Sequence, residues 1–422
     1  MKLSTPENVQ KLRKALYERA KREPELRFYS LYDKVHRGDV LVYAFALCRA
    51  NKGAAGPDGV TFDDIEESGG PGPMLARLAE ELRTKKYTPG PVRRVYIPKA
   101  NGGERPLGIP DIRDRVVAMA VKLVLEPIFE AGFDADSYGF RPERNAHQAL
   151  AALGGNIARG MVWVVDADVS KCFDTIPHDK LMTVMAKRIV DGSMLTLIKA
   201  FLVAPVIDER DGCRTRPHAG TPQGGPASPL LANIYLDLVD RNFRMHVERG
   251  ELQGRLVRYA DDITIICPRS PEPELAWLRQ IMVRLGLTLH PEKTRVINAQ
   301  QEWVDFLGYR VRLRPSGRIA MDIAKKTMTR IRDKLRTTTR RTYLTLEELI
   351  DELNEYIRGA AEYFKNAEPR TLWNLDRFVL ARIARWSRHK HVRRLPAWSL
   401  ARGGPLYREH GLVTWWHRKQ PR

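Results

Sequence analysis

The sequence predicts an α+β protein in which short antiparallel hairpins alternate with helices and a basic, helical segment follows. Two stretches predict the sheets, because residues 93–110 and 256–267 each hold two runs rich in Val, Ile and Tyr around a turn signal. A third observation predicts the helical segment. Residues 345–364 and 372–386 repeat apolar side chains at helical spacing, as in an antiparallel bundle.

Size and charge narrow the class of protein. The chain has 422 residues, of which 43% are hydrophobic, so it is globular and long enough for two or three domains. Lys and Arg number 71 against 51 Asp and Glu, a net charge of +20. Residues 310–422 hold 27 of these cations against 11 acids, which leaves +16 in the last quarter. The excess favours a nucleic-acid partner, with a generic basic protein as the alternative.

The cysteines and the apolar runs indicate the cellular compartment in which the protein is expected. Cys48, Cys172, Cys213 and Cys267 lie far apart, which argues against a zinc site or a disulfide framework and predicts a reducing cytoplasm. No apolar run reaches membrane-spanning length, and no signal-peptide core begins the chain, so we expect no membrane partner. No protein partner can be predicted.

The N-terminal part predicts helices and then the first hairpin. Residues 1–50 and 74–86 have helical spacing, and the Gly-rich stretch 51–59 between them lacks the Lys-Ser/Thr ending of a triphosphate-binding loop. In the hairpin, Lys99 and Arg105 flank the turn and could clamp a triphosphate. The alternative is an edge strand with solvated charges.

A helix is predicted from Asp111 to Phe129, ending near Pro127. After it, residues 138–142 form a compact turn with two aromatic side chains and a cation, suited to stacking or to packing. A further helix is predicted from His178 to about Ile189.

A buried strand at residues 162–165 leads into acids. Alternation places Asp166 and Asp168 on one face of the strand, where one can meet a metal while the other is solvated or ion-paired. The loop 219–229 then opens a helix. Its glycines allow close approach of a ligand to the backbone, and Gln223 offers a donor and an acceptor. The same loop also fits a helix entry with Ser228 as the cap and Pro229 at the first helical position.

The second hairpin carries adjacent acids, Asp261 and Asp262, between two apolar strands. Burying two carboxylates side by side is costly unless a cation meets them, and Mg²⁺ prefers carboxylate oxygen. An ordinary exposed turn is the alternative. Beyond it we predict a helix at 274–285 and a strand at 287–295 that runs into a basic turn containing Lys293.

Together the acids predict a two-metal phosphoryl-transfer site. Asp168 and Asp261, brought side by side in one sheet, could hold two metal ions about 4 Å apart. Lys99 and Arg105 would bind the triphosphate, and Lys293 could protonate the leaving pyrophosphate.

The order of these motifs resembles a known family, the reverse transcriptases, and most closely the bacterial group II intron-encoded proteins that combine reverse transcriptase and maturase activity. The resemblance covers essentially the whole chain. The matching stretches are residues 105–110, 138–142, 168–174, 221–229, 259–262, 287–294 and 306–309.

The resemblance implies a right-hand polymerase with an antiparallel-sheet palm, fingers and an α-helical thumb that also binds intron RNA. It implies segments at 1–90 (helical extension and start of the fingers), 91–310 (fingers and palm), 311–400 (thumb) and 401–422 (basic aromatic tail). The implied substrates are an RNA template, a DNA primer and dNTPs.

The resemblance also implies roles for single residues, which carry over position by position. It implies two Mg²⁺ ions, with Mn²⁺ as a substitute, on Asp168, Asp261, Asp262 and the Val169 carbonyl. Phe173 would exclude a ribose 2′-hydroxyl beside the nucleotide contacts of Lys99, Arg105 and Gln223. The implied template and primer contacts are Tyr138, Arg141, Gly224, Tyr259, Leu307 and Gly308.

Several alternatives stay open at this level. No His- and Cys-rich endonuclease module follows the thumb, so the expected form lacks DNA cleavage. The polymerase could instead serve phage defence, CRISPR spacer acquisition or DNA repair, and flanking intron RNA would distinguish these roles. A splicing maturase without synthesis is a further alternative, against which the intact acid set argues. RNA-dependent RNA synthesis is another, and the expected gate at Phe173 argues for deoxynucleotides.

Overall fold

The computed structural model describes residues 3–98, 103–221, 224–390 and 404–415. Lys99, Gln223, Trp398 and Trp416 lie outside these ranges, so the roles predicted for Lys99 and Gln223 stay predictions. No helix within these ranges is both long and apolar enough to cross a membrane.

The chain forms two compact units, each described here by itself. Unit 1 comprises Met1–Ala152 and Val165–Val296, and unit 2 comprises Leu153–Val164 and Ile297–Arg422. The four functional segments expected from the sequence stay a prediction.

Helices make up most of unit 1. Those that begin in it are α1 Glu7–Arg22, α2 Tyr32–Val35, α3 Gly38–Ala50, α4 Phe62–Glu67, α5 Gly72–Arg83, α6 Ile112–Glu130, α7 Ala146–Ala158, α8 Cys172–Thr175, α9 His178–Ala186, α10 Gly192–Leu202, α11 Ser228–Glu248 and α12 Glu272–Leu285. The predicted helical character of residues 1–50 is confirmed, with an interruption at residues 23–31.

Two four-stranded sheets accompany these helices. The first has the order β2-β1-β4-β5 and the second the order β6-β7-β3-β8. Their strands are β1 Val92–Pro98, β2 Glu104–Pro110, β3 Trp163–Asp168, β4 Val206–Asp208, β5 Arg214–Thr215, β6 Arg255–Tyr259, β7 Asp262–Cys267 and β8 Arg295–Asn298. Both predicted hairpins are confirmed as antiparallel pairs, β1 with β2 and β6 with β7.

The core of unit 1 is built around α6. Val116, Val124 and Leu125 are fully buried, since α1, α3 and α5 pack around this helix. The helix predicted from Asp111 to Phe129 is confirmed as α6, which continues three residues beyond Pro127 to Glu130. Ile128 is 1% exposed, so the burial gained by the last turn offsets the one hydrogen bond that the proline cannot make.

Unit 2 combines a small sheet with helices. Its strands β9 Val304–Phe306, β10 Tyr309–Leu313 and β11 Ile319–Ile323 form an antiparallel sheet in the order β11-β10-β9. Its helices are α13 Lys325–Thr338, α14 Leu346–Tyr363, α15 Pro369–His389 and α16 Pro405–Arg408. The two predicted helices are confirmed as α14 and α15. Thr345 begins α14 with a capping box, in which its hydroxyl and the Glu348 carboxylate each accept a backbone N–H of the other residue.

Two local predictions are wrong. Residues 287–294 are irregular apart from one bridge, Leu289 with Val169, and the strand begins only at Arg295. The pairing is limited to two backbone hydrogen bonds around this bridge, from the Ser170 N–H to the Thr288 carbonyl and from the His290 N–H to the Asp168 carbonyl. Ser228 is the first helical residue instead of the cap, a position taken by Ala227.

Candidate active site

The predicted acids lie where neighbouring strands end and begin. Asp168 is the last residue of β3, Asp262 is the first residue of β7, and Asp261 stands in the two-residue turn before it. β3 and β7 are adjacent in their sheet. The sheet therefore brings together carboxylates that are separated by more than ninety residues of sequence.

The negative charge of the Asp168 carboxylate acts on the pKa values of both Asp261 and Asp262. Burial, and after it the negative charge of Asp168, raises the pKa of Asp261, while the Arg105 guanidinium opposes this shift. Loss of water, followed by the charges of Asp261, Asp168 and Asp166, raises the pKa of Asp262 to about 7. The Asp262 residue is nevertheless exposed, so its carboxyl is crowded by protein atoms on one side and open on the other. An arrangement in which carboxylates hold a neighbour partly protonated at neutral pH is one that a cation would stabilise.

The bases nearest to these acids come from the segment after α12. Lys293 Nζ lies 3.2 Å from Asp168 Oδ2, and both side chains reach solvent. Arg295 Nη2 lies 3.8 Å from Asp166 Oδ2. Asp168 and Asp166 of β3 thus have different partners, Lys293 and Arg295. The sequence allowed for one of these acids to be ion-paired while the other meets a metal. Lys293 is placed at the carboxylate, while its role as a proton donor stays a prediction.

The backbone offers one more oxygen. The Asp168 carbonyl accepts from His290 N–H and the Ser170 N–H donates to the Thr288 carbonyl, both at 2.8 Å. Since successive carbonyls of an extended strand point to opposite sides, the Val169 carbonyl points away from this segment. This orientation leaves it available as a ligand.

The oxygen donors fit a magnesium ion that keeps part of its shell from other sources. Asp168, Asp261 and Val169 supply only hard oxygen atoms. Within the described residues, no group of three His, Cys, Asp or Glu side chains could hold a metal by itself. Mg²⁺ commonly binds through one or two carboxylates and completes its octahedron with water and substrate phosphate. The donor set is therefore suited to Mg²⁺ bound together with a nucleotide.

The turn that carries Asp261 is strained and tightly packed. Ala260 has φ +57°, a left-handed conformation that alanine rarely adopts. Gly139 lies against this turn so closely that a Cβ there would overlap the backbone nitrogen of Ala260. Asn233 Nδ2 donates to the Gly139 carbonyl at 2.8 Å, which fixes the contact. Strain of this kind persists only where the surroundings enforce it.

A buried arginine, Arg258, holds the turn at Ala260 in this strained conformation. Arg258 is fully buried; its Nη1 donates to the Ala260 carbonyl and to Asn233 Oδ1, each at 2.9 Å. Its Nε and Nη2 donate to the Asp240 carboxylate, which is 2% exposed. Sequence reasoning missed this network. The available signal was an arginine within an apolar strand, together with Asn233, Asp237 and Asp240, which recur at helical spacing on one face of an otherwise largely apolar helix.

The loop before α11 packs on the short helix α8 that follows Asp168 and on the first hairpin. The Thr221 N–H donates to the Phe173 carbonyl at 2.6 Å, and a Cβ on Gly220 would lie 2.8 Å from the Asp174 backbone. Gly224 has φ +112° and sits against the Gly108 carbonyl. In this structure the close approaches that these glycines allow are to protein backbone. The template contact predicted for Gly224 itself stays a prediction.

The turn at 138–142 uses its polar residues internally. Tyr138 is 6% exposed and its hydroxyl bonds Asp136, while Arg141 is 8% exposed and pairs with Glu130 at 2.7 Å. Both side chains are thus engaged with protein atoms, and the template and primer contacts expected of Tyr138 and Arg141 stay predictions. Phe140 between them is 54% exposed instead.

Comparison with known proteins adds the family. Residues 97–311 match the model described as reverse transcriptase (RNA-dependent DNA polymerase), and residues 328–404 match the group II intron maturase-specific domain.

The chain belongs to the group II intron reverse transcriptase/maturase family.

Its relatives span bacteria and fungi. Protein YkfC of Escherichia coli is 32% identical over 342 residues, which cover 72% of this chain and 88% of that protein. Group II intron-encoded protein LtrA of Lactococcus lactis is 31% identical over 358 residues, or 69% of this chain and 58% of LtrA. The putative COX1/OXI3 intron 1 protein of Saccharomyces cerevisiae is 30% identical over 353 residues, or 72% of this chain and 41% of that protein. The chain thus spans only about half the length of the latter two relatives.

The remaining residues of the family pattern lie in turns or directly beside them. Tyr259 faces Asp262 across the first residue pair of the β6–β7 hairpin. In unit 2, Leu307 and Gly308 form the two-residue turn between β9 and β10, with φ +49° and +79°. The Leu307 carbonyl accepts the Tyr363 hydroxyl at 2.8 Å, which ties this turn to α14. Their contacts with template or primer in this reverse transcriptase stay predictions.

Proposed function

We propose that this chain is an RNA-directed DNA polymerase that copies an RNA template with dNTPs and binds group II intron RNA to aid splicing and retrohoming. The observation that carries the proposal is the convergence of Asp168, Asp261 and Asp262 in one sheet, beside Arg105. In this proposal, unit 1 forms the fingers and palm of a right-hand polymerase, and the helices of unit 2 form the thumb.

Each residue has a defined part in the reaction. When bound, Mg²⁺ would activate the primer 3′-hydroxyl and neutralise the leaving pyrophosphate. Asp168, Asp261 and the Val169 carbonyl would hold it, and Asp262 would act less directly. Arg105 is exposed near Asp261 and would bind the triphosphate together with Lys99. Lys293 would give its proton to the departing pyrophosphate, and Phe173 would contact the sugar.

The basic character of unit 2 supports binding of intron RNA. Helix α13 carries six Lys and Arg residues with one acid in fourteen positions. Such a surface binds phosphates through charge and counterion release. The match of residues 328–404 to the maturase-specific domain supports the same conclusion.

Primer extension on an RNA template with Mg²⁺ and dNTPs tests the proposal. Asp261→Asn and Asp168→Asn should each lower the rate by about 1,000-fold or more, because they remove metal ligands while leaving the fold intact. RNA affinity, measured by fluorescence anisotropy, should stay within about twofold. Asp63→Asn, an exposed acid on α4, is the matched control and should be fully active. Synthesis retained in the Asp261 variant would overturn the metal assignment.

A further inference from the structure

Unit 2 contains a concave pocket that no role above uses. Its volume is about 350 Å³, the size of a small-ligand site. It is bordered by β10, β11 and the first turns of α13 and α15. The lining residues that carry the argument are Arg310, Asp322, Lys325, Thr329, Arg332 and Thr371.

The charges of this pocket favour an anion. Three cations line it against one acid, and that acid is already engaged: Asp322 accepts from Arg310 Nη2 at 2.8 Å and from the Thr371 hydroxyl at 3.0 Å. Arg310 Nε is buried and has no hydrogen-bond partner in the described part of the chain. Lys325 and Arg332 are exposed, seven residues apart on one face of α13.

The backbone adds to this preference. α13 begins at Lys325 after Ala324, which cannot cap the helix with its side chain, and α15 contributes Thr371 from its first turn. The N–H groups at such ends favour negative charge. One arginine–tryptophan pair adjoins the pocket, because Arg310, which lines it, lies 4.5 Å over Trp303. Such a pair suits a stacked base beside a phosphate.

We propose that this pocket is a discrete binding site for a backbone phosphate of RNA, held by Lys325, Arg332 and the positive charge of Arg310. The inference rests on the proposed RNA binding and adds that affinity is concentrated in one site rather than spread over the basic surface of unit 2.

Two double variants within unit 2 distinguish a discrete site from a diffuse positive field. Lys325→Gln/Arg332→Gln removes two cations from the pocket, while Arg358→Gln/Arg385→Gln removes two exposed cations on α14 and α15, outside the pocket and outside α13. Affinity for a single-stranded RNA oligonucleotide is measured by anisotropy across a salt series. The pocket variant should bind about 10-fold more weakly with a log–log salt slope smaller by roughly 0.7, whereas the control should change less than about twofold.

Each other outcome is decisive. Equal losses in both variants would show a diffuse field and overturn the site. An intact affinity in the pocket variant would do the same. Failure of the unaltered protein to bind RNA would instead refute the proposed function, so the two failures are distinguishable. Circular dichroism of both variants checks that their helices are retained.

A second, independent observation concerns Phe140 in unit 1. Its φ is +56°, and its ring, 54% exposed, lies edge-on to Phe173 with centroids 6.4 Å apart and planes at 82°. A bulky residue in the left-handed region indicates that the surroundings impose its position. The packing of Gly139 on Ala260 and its bond from Asn233 supply that constraint.

We propose that Phe140 is a positioning residue that supports the Phe173 ring against the sugar of the incoming nucleotide. The geometry is an edge-to-face contact, which fixes the orientation of one ring by the face of the other. The inference rests on the gate role proposed for Phe173. It assigns sugar discrimination to a pair of rings from two motifs rather than to one.

The ratio of kcat/KM for a dNTP to that for the matching rNTP tests this role. Phe140→Ala should lower the ratio by about 2- to 10-fold, Phe140→Tyr should restore it, and Phe173→Ala should lower it further. Adding Phe140→Ala to Phe173→Ala should then change nothing more, because the supported ring is gone. Tyr29→Ala, which removes an exposed aromatic elsewhere in unit 1, serves as the control.

The outcomes again separate the two ideas. An unchanged ratio in Phe140→Ala beside a lowered ratio in Phe173→Ala would overturn the positioning role alone. An unchanged ratio in Phe173→Ala would remove the gate itself. A purely structural effect of Phe140 would lower kcat/KM for both nucleotides equally and leave the ratio constant.

Discussion

Arg258 in unit 1 and Arg310 in unit 2 both pair with an aspartate, yet their surroundings differ. Arg258 is fully buried and directs its donors at Asp240, Asn233 and the Ala260 carbonyl. Arg310 has 23% of its side chain exposed, stacks on Trp303 and leaves Nε without a partner in the described structure. One guanidinium is committed to protein atoms and fixes a turn. The other reaches solvent, so its positive charge is available to a ligand.

The same contrast holds for the units around them. In unit 1, buried charges are matched to one another and fix the position of a few carboxylates. In unit 2, many exposed cations face solvent, with paired examples such as Lys365 and Glu362 on the surface. Positioning for chemistry requires fixed geometry, whereas binding of a long polyanion requires mainly charge. Three experiments can break or sharpen this comparison.

Removing the buried arginine should have the largest effect. Arg258→Met leaves Asp240 buried and unpaired and should lower the free energy of unfolding by about 3–5 kcal/mol. Arg310→Met should cost less, because Asp322 keeps two donors, the Thr371 hydroxyl and the Ile323 N–H. Urea denaturation measures both. Arg258→Met/Asp240→Leu should recover stability but not primer extension, since the Ala260 carbonyl stays without its donor. An equal decrease in the free energy of unfolding for Arg258→Met and Arg310→Met would show that the two arginines do not differ in this way.

Magnesium should stabilise unit 1 through its acids. With Mg²⁺ at about 100 times its Kd, the free energy of unfolding should rise by about 2.7 kcal/mol, and Asp261→Asn should abolish the rise.

In metal-free protein, the raised pKa of Asp262 makes stability depend on pH. Its folded form holds a proton that its unfolded form loses near pH 4, so stability from this group falls as pH rises from about 4 to 7.

Thermal melts at several pH values, with EDTA or with Mg²⁺, measure both effects. Asp262→Asn should flatten the metal-free pH profile between about 4 and 7, while Asp333→Asn on the exposed surface of α13 should leave it unchanged. A profile as steep in Asp262→Asn as in the unaltered chain would show that other groups are responsible.

Relaxing the two strained turns should have the smallest effect. Ala260→Gly removes the steric penalty that a side chain has in the left-handed conformation and should raise the free energy of unfolding by about 1 kcal/mol. Because the backbone is then freer, the Mg²⁺ concentration needed for half-saturation should rise several-fold. Leu307→Gly makes the same change in unit 2, with a smaller gain because its half-buried side chain is lost. Its dependence on Mg²⁺ should not change. A Mg²⁺ dependence unaltered in Ala260→Gly would show that the strain does not position Asp261.

Local patterns were sufficient for the elements and the acids. The hairpin at Asp261 and the helix that begins after Thr345 depend on neighbours in sequence: an apolar alternation around a two-residue turn in one case, and a capping box before helical spacing in the other. Asp168, Asp261 and Asp262 were recognisable as functional candidates because burying a carboxylate beside an apolar strand costs free energy unless a cation is bound. The order of the motifs then indicated the family that the comparisons confirm.

The tertiary structure decided which side chains face the site. Tyr138 and Arg141 were expected at a template and are buried, while Phe140 is exposed, because the packing of Gly139 on Ala260 sets the direction of this turn. The partnership of Arg258 with Asp240, and the pocket that gathers Arg310 with Lys325, join residues from separate elements. Periodicity along the chain specifies one face of one element at a time. Which faces meet depends on contacts between distant segments, and these form only when the whole unit folds.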